Sequence, residues 1–229
     1  MELQREDGVF VLHMRDGENR LNRSFLDGVN GALDEVEASQ GEAALVTTGE
    51  GRFYSTGLDL GWLATCGQAE IEAFLADMHR LFARVLGFPV ATVAAINGHA
   101  FAAGAMFSLA HDFRVMRSDK GFVCLPEIDL RMGQPLTPGM YALLGARLPR
   151  STLHEALVTG KRYDGPDATA AGFVNEACEE VEVLPRAIEI AGALASKDRA
   201  TMAAIKRGLY ASAIEILQGA LPEGLVPDA

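Results

Sequence analysis

Residues 97–112, Asn-Gly-His-Ala-Phe-Ala-Ala-Gly-Ala-Met-Phe-Ser-Leu-Ala-His-Asp, place small residues immediately before an apolar run that suits a short helix. Ala102, Ala103 and Gly104 have almost no side chain with which to hold a ligand away from the backbone. The first N–H groups of a helix lack intrahelical acceptors and sit at the positive end of its dipole. An oxygen gaining negative charge could approach them, which is one half of an oxyanion hole. Tight helix–strand packing calls for the same small residues, and this stretch alone leaves the two readings level.

A second run, residues 49–60 (Gly-Glu-Gly-Arg-Phe-Tyr-Ser-Thr-Gly-Leu-Asp-Leu), is punctuated by glycine. It suits a strand end and a loop that positions backbone donors, or equally a surface loop chosen for turn chemistry. The Gly-Lys-Ser/Thr ending of a phosphate loop is absent. His99 and His111 flank the central run without a Ser or Cys nucleophile in a recognised motif, so packing or capping is the expected role. Cys66, Cys124 and Cys178 are odd in number, far apart and without Cys-x-x-Cys spacing, which indicates neither a disulfide framework nor a zinc site. No metal is expected, and a reducing cytoplasm suits such a chain.

With 229 residues and 49% apolar content, the chain is long enough to bury a substantial core. Its formal net charge of −11 argues against a nucleic-acid backbone as partner, although local basic groups can still hold a small phosphate ligand. The N-terminal Met-Glu-Leu-Gln-Arg-Glu-Asp has neither the basic nor the apolar block of a signal peptide. Residues 85–110 are poor in charge, but Pro89 and the turn at 97–99 cut them into pieces too short to cross a bilayer.

The elements that must position these groups follow from hydrophobic period. Residues 8–14 alternate as a first strand. Asn22 or Ser24 can cap a helix in which Phe25, Leu26, Val29, Leu33 and Val36 recur, and 43–48 is a buried strand. Residues 68–86 carry Ile71, Phe74, Leu75, Met78, Leu81, Phe82 and Val85 on one helical face. A buried strand over 90–96 enters the Asn-Gly turn; 113–116 and 121–125 are short strands, and Pro126 and Glu127 follow at once. Helical patterns cover 135–148 and 151–158, a short helix opens at Asp164-Gly165-Pro166, and 173–178 is a last strand. Residues 184–217 form two helices with a junction at 196–198, and 219–229 form a tail. No linker or repeat divides the chain, so one α/β domain is predicted, with a core over 1–184 and a helical C-terminal segment over 185–229 in the same domain.

Together these stretches resemble the crotonase superfamily, the enoyl-CoA hydratase/isomerase family. The matching pieces are Asn19-Arg-Leu-Asn22, Phe53-Tyr-Ser-Thr-Gly-Leu-Asp-Leu60, Asn97-Gly-His-Ala-Phe-Ala-Ala-Gly-Ala-Met106, Pro126-Glu127, Ala156-Leu-Val-Thr-Gly160 and Ala171-Gly-Phe-Val174, in the family's order. The resemblance implies a spiral of β-β-α units with a helical C-terminal region, assembled as trimers or pairs of trimers, acting on acyl-CoA thioesters. It places the two oxyanion-hole donors at the N–H groups of Leu58 and Ala103, the second a mild departure because many members have glycine there. CoA and substrate contacts fall on Asn19, Arg20, Leu21, Arg23, Ser55, Gly57 and Met106.

Met106 stands where family hydratases carry a glutamate, while the second glutamate position is kept as Glu127. A thioether can neither accept a proton nor hold a nucleophilic water, which argues against two-carboxylate hydration. The resemblance therefore leans toward the short 3,2-enoyl-CoA isomerases, including the plant-type peroxisomal group, with Glu127 as the single catalytic acid and base. Leu125, Ile128, Leu130 and Met106 are apolar neighbours expected to raise its pKa. Asp129 is a lesser candidate for a second acid, and Asp59 and Asp112 are expected to stabilise turns and helix ends. No cofactor is implied beyond the CoA thioester of the substrate. Hydration, thioester hydrolysis and decarboxylation, and a non-catalytic acyl-CoA-binding subunit, stand as alternatives.

Overall fold

The computed structural model describes residues 1–130 and 136–222. It opens on the antiparallel pair β1 (Glu2–Glu6) and β2 (Val9–His13), then α1 (Arg23–Ala38), β3 (Ala44–Thr48), β4 (Phe53–Ser55), α2 (Leu60–Leu63) and α3 (Gln68–Leu86). Next come β5 (Ala91–Ile96), β6 (His99–Phe101) and α4 (Ala103–Ala110), followed by β7 (Phe113–Arg117), β8 (Val123–Cys124) and a single 3-10 turn at Glu127–Leu130. The remainder is α5 (Pro138–Arg147), α6 (Arg150–Thr159), β9 (Arg162–Tyr163), α7 (Gly165–Ala170), β10 (Glu176–Cys178), α8 (Glu180–Gly192), α9 (Arg199–Leu209) and α10 (Ala211–Gln218).

Repeatedly, one strand enters a large sheet, the next enters a small one, and helix or turn follows. The large sheet runs β1-β2-β3-β5-β7-β10 and the small sheet β4-β6-β8-β9, which is the predicted α/β spiral of β-β-α units. From β2 to β10 the large sheet is parallel, with Val46 opposite Val93 and Ala95 opposite Val115. Parallel sheets are covered on both faces, and accordingly every residue of β3 and β5 is buried. Phe10, Leu12 and Leu45 pack into the main core with α1, α3 and α4, while Val11, Val46 and Val93 meet Val183, Ala187 and Ala191 of α8.

Local signals account for several boundaries. Asn22 caps α1 by accepting from Phe25 N–H at 3.0 Å, and Phe25, Leu26, Val29, Leu33 and Val36 are buried. α3 has the predicted limits. Asp164 caps α7 by accepting from Asp167 N–H.

Several strands and helices depart from expectation, and α2 lies in a stretch with no predicted helix. β1 is exposed apart from half-buried Leu3, so its apolar pattern is weak and the β2 ladder defines it. β6 and β9 are too short to show a period. The C-terminal region holds three helices where two were predicted: α8 begins at Glu180, so position 184/185 falls inside it, and a further break occurs at Tyr210. Tyr210 is anchored there by Arg147, which donates to its hydroxyl and lies 5.2 Å from its ring centre. The predicted helix start at Pro135 and the tail over 223–229 lie outside the described residues. No helix among the described residues is long and apolar enough to cross a membrane.

Candidate active site

Strands β4, β6 and β8 lie side by side and parallel, with Ser55 opposite Ala100 and Phe101 opposite Cys124. Their carboxyl ends point the same way. Leu58 follows β4, Ala103 follows β6 and Glu127 follows β8. Neighbouring strands are about 5 Å apart, so the three strand ends span roughly 10 Å. The space beyond the carboxyl ends of parallel strands is where open α/β sheets commonly hold ligands.

The Leu58 amide is aimed by its neighbours. Leu21 N–H donates to Gly57 C=O at 2.8 Å, and Asp59 N–H donates to Leu21 C=O at 3.0 Å, clamping the chain on both sides of Leu58. The C=O and N–H of a trans peptide point in opposite directions, so holding Gly57 C=O turns Leu58 N–H away from Leu21. It donates to no backbone carbonyl among the described residues. Gly57 has φ +92°, and a Cβ there would lie 3.1 Å from Ala103 N and 3.0 Å from Phe101 O. Only glycine lets the two donor loops touch.

Ala102 holds φ 49° and ψ −126°, close to the first central position of a type II′ turn, where glycine is usual. Its N–H donates to Cys124 C=O at 3.0 Å and its C=O accepts from Met106 N–H at 3.0 Å. The N–H on the same peptide plane, that of Ala103, therefore points out of the helix start, and it too donates to no backbone carbonyl among the described residues. One residue on, a Cβ at Gly104 would fall 2.4 Å from Ser55 O. Within the small-residue run, Gly104 serves packing and Ala103 leaves an N–H without a backbone acceptor among the described residues.

Glu127 is 5% exposed, the only buried acid among the described residues. Its Oε2 is buried with no hydrogen-bond partner there, and desolvation pushes its pKa up to about 7. Of the four expected apolar neighbours, Leu125 and Met106 are buried, but Ile128 and Leu130 turn outward at 52% and 43% exposure. Asp129 is also exposed, with its carboxylate beside Gly160. Glu127 lines a cavity of about 550 Å³ whose walls include Leu136, Leu153 and Leu157.

The residues expected to contact CoA divide by burial. Asn19, Leu21, Ser55, Gly57 and Met106 are buried. Asn19, at φ 48°, donates from Nδ2 to Tyr54 C=O and accepts from Asp16 N–H, while Ser55 Oγ donates to Asn19 C=O and accepts from Gly57 N–H. These side chains are occupied in building the Leu58 loop, so a ligand contact from them is left to the backbone. Arg20 and Arg23 are exposed enough to meet a ligand, but Arg20 pairs with Glu18 at 2.8 Å and Arg23 pairs with Asp77. Asp59 caps α2 through Trp62 N–H, as expected, whereas Asp112 does not serve a turn or helix end: its carboxylate accepts from Thr92 N–H within β5 and pairs with Lys206 of α9. No group of three His, Cys, Asp or Glu side chains among the described residues could hold a metal.

Sequence reasoning missed the support at the far end of α4. His111 Nδ1–H donates to Phe107 C=O at 2.9 Å; a carbonyl cannot donate, so Nε2 accepts from the Thr47 hydroxyl at 3.0 Å, which accepts from Tyr54 O–H at 2.8 Å. Arg147 donates to the carbonyls of Leu109, His111 and Asp112, collecting the free end of the helix. A lone threonine, a tyrosine and an arginine distant in sequence carry no local signal for this.

Residues 4–221 match the family model described as Enoyl-CoA hydratase/isomerase. The chain is 30% identical to Enoyl-CoA delta isomerase 3 of Arabidopsis thaliana, over 91% of each protein. It is 29% identical to a probable enoyl-CoA hydratase of Bacillus subtilis, covering 89% of this chain and 78% of that one. An apo structure of the Mycobacterium tuberculosis enoyl-CoA isomerase superposes with a TM-score of 0.88 at 29% identity, covering 98% of this chain and 96% of that one.

Proposed function

The chain belongs to the enoyl-CoA hydratase/isomerase family, and from that premise we propose that it is an enoyl-CoA isomerase moving the double bond of a 3-enoyl-CoA to the 2-position. Glu127 removes a proton from C2. The electron pair spreads over the dienolate onto the thioester oxygen, which the N–H groups of Leu58 and Ala103 receive. Glu127 then returns the proton at C4, and the thioester is regenerated with its double bond moved. The shift is redox-neutral, so CoA enters only as part of the substrate.

One observation carries this reading: Glu127 is the single buried acid among the described residues, while Met106 is buried at the position where family hydratases place a second carboxylate. A pKa of about 7 leaves the carboxylate ready to take a proton and its conjugate acid ready to release one. Positioned acid–base catalysis supplies roughly 10²–10⁴-fold, and one oxyanion donor is worth about 3–4 kcal/mol, so both parts are needed. Substrate phosphates would meet Arg20 and Arg23 by exchange with Glu18 and Asp77, surface pairs that are cheap to open.

A spectrophotometric screen of 3-enoyl- and 2-enoyl-CoAs of graded length tests this. Conversion of 3-enoyl substrates without comparable water addition to 2-enoyl substrates is expected. Hydration at a matching rate overturns the assignment.

A further inference from the structure

Resting on the isomerase reading, we propose that the cavity beside Glu127 takes an acyl chain whose far end carries a carboxylate, held by Arg150 and His154. The cavity follows α6. At one end Gly160, which closes that helix, packs on the Glu127 turn: a Cβ on Gly160 would lie 3.0 Å from Asp129 Oδ2 and 3.2 Å from Ile128 Cγ2. Toward the other end Arg150 opens α6 and His154 follows one turn later, and both line the same cavity. Leu136, Leu153 and Leu157 supply apolar wall between.

Arg150 and His154 make no ion pair or side-chain hydrogen bond among the described residues, although the chain carries a net charge of −11. An arginine in the first turn of a helix also opposes the dipole. Here no acid in that turn offsets it, and the Pro149 cap offers no side-chain acceptor. A methyl-ended chain would bring nothing to these two groups. A carboxylate would accept two parallel N–H bonds from the guanidinium. A helix rises about 15 Å from 160 back to 150, and an extended alkyl chain advances about 1.3 Å per carbon, so a chain of roughly fourteen carbons reaches from a C2 beside Glu127 to a carboxylate beside Arg150. The buried Glu127 carboxylate, unpartnered among the described residues, marks the reacting end of that line.

Calorimetric titration with CoA, tetradecanoyl-CoA and the mono-CoA thioester of the fourteen-carbon dicarboxylic acid tests the proposal on the wild type, Arg150→Met, Arg150→Lys and His154→Leu. The ω-carboxyl ligand is expected to bind the wild type at least tenfold more tightly than tetradecanoyl-CoA. Arg150→Met should abolish that ratio with CoA affinity unchanged, Arg150→Lys should keep part of it, and His154→Leu should reduce it. Equal affinities for the two acyl ligands overturn the proposal. So does an equal loss of affinity for CoA itself in Arg150→Met, which would assign the arginine to CoA phosphates. Turnover of the corresponding 3-enoyl substrates separates the two readings. Isomerisation without the ω-carboxyl preference removes the tail site alone, whereas the binding preference without turnover removes the isomerase reading alone.

Discussion

The carboxyl end of α4 buries His111, Thr47, Tyr54 and Arg114 and gives each of them a partner. Ala103 N–H at its amino end, Leu58 N–H on the adjoining loop and Glu127 Oε2 beyond the neighbouring strand β8 have none among the described residues. A buried polar group left unpaired costs about 1–3 kcal/mol, so the two ends contribute with opposite sign to folding. The paired end shows what the fold does with polar groups it uses for support: burial lowers the His111 pKa to about 3, keeping it neutral, and Arg114 donates to the carbonyls of Phe173 and His111. The open end shows polar groups that the fold leaves unused. The same eight-residue helix joins them, so the orientation of Ala103 N–H depends on anchors at the other end.

Glu127→Gln gives the largest contrast. Turnover should fall roughly 10²–10⁴-fold, measured on a 3-enoyl-CoA, because the amide cannot shuttle a proton. The fold should gain. The Glu127 pKa rises from 4.5 to about 7 on folding, so ionisation is harder in the folded state. Stability contributed by the protonated acid is full below 4.5 and lost as pH rises to 7. At pH 8 the glutamine variant should be more stable by up to about 3 kcal/mol in urea titration, and the gain should vanish near pH 4. In the wild type, kcat/KM should drop about tenfold per pH unit below 7.

Gly57→Ala should disturb the open end without touching the acid. Its Cβ would crowd Ala102, Phe101 O and Ala103 N at a φ of +92°. A displacement of the two amides should cost roughly 10²-fold in kcat, with stability lower by about 1–3 kcal/mol. Equal kcat in this variant would dissociate the loops from catalysis.

His111→Leu tests the paired end. It strips acceptor or donor from Thr47 and Phe107 C=O, and thermal melting should show a loss of about 2 kcal/mol. The fall in kcat should be smaller than for Gly57→Ala. The mildest effect belongs to Ala102→Gly, which relieves the strained φ of 49°. A gain of about 1 kcal/mol is expected, offset in part by the added freedom of glycine in the unfolded chain. A loss of stability would show that the Ala102 methyl packs well enough to outweigh the strain.

Legibility in the sequence followed the range of the interactions. Asn22, Asp59 and Asp164 cap helices through bonds to N–H groups three residues on, and the apolar face of α3 repeats over its whole length. Such signals are complete within a short window. β1 escaped because it is exposed and carries no apolar alternation, and β6 and β9 because strands of three and two residues are defined by what they pair with. The break before α10 escaped because Arg147, remote in the chain, holds Tyr210.

For the site, the sequence by itself determined the ingredients: small residues at 102–104, a glycine before Leu58, one carboxylate at 127 and a thioether at 106. It could not say which of these would be left without partners. That was decided by three parallel strands arriving at a common edge, by Leu21 holding Gly57 C=O so that the Leu58 amide faces away, and by burial that leaves Glu127 Oε2 without a partner among the described residues. Residue type sets what chemistry a group can do; whether that capacity is spent inside the fold or kept open depends on contacts between segments far apart in the chain.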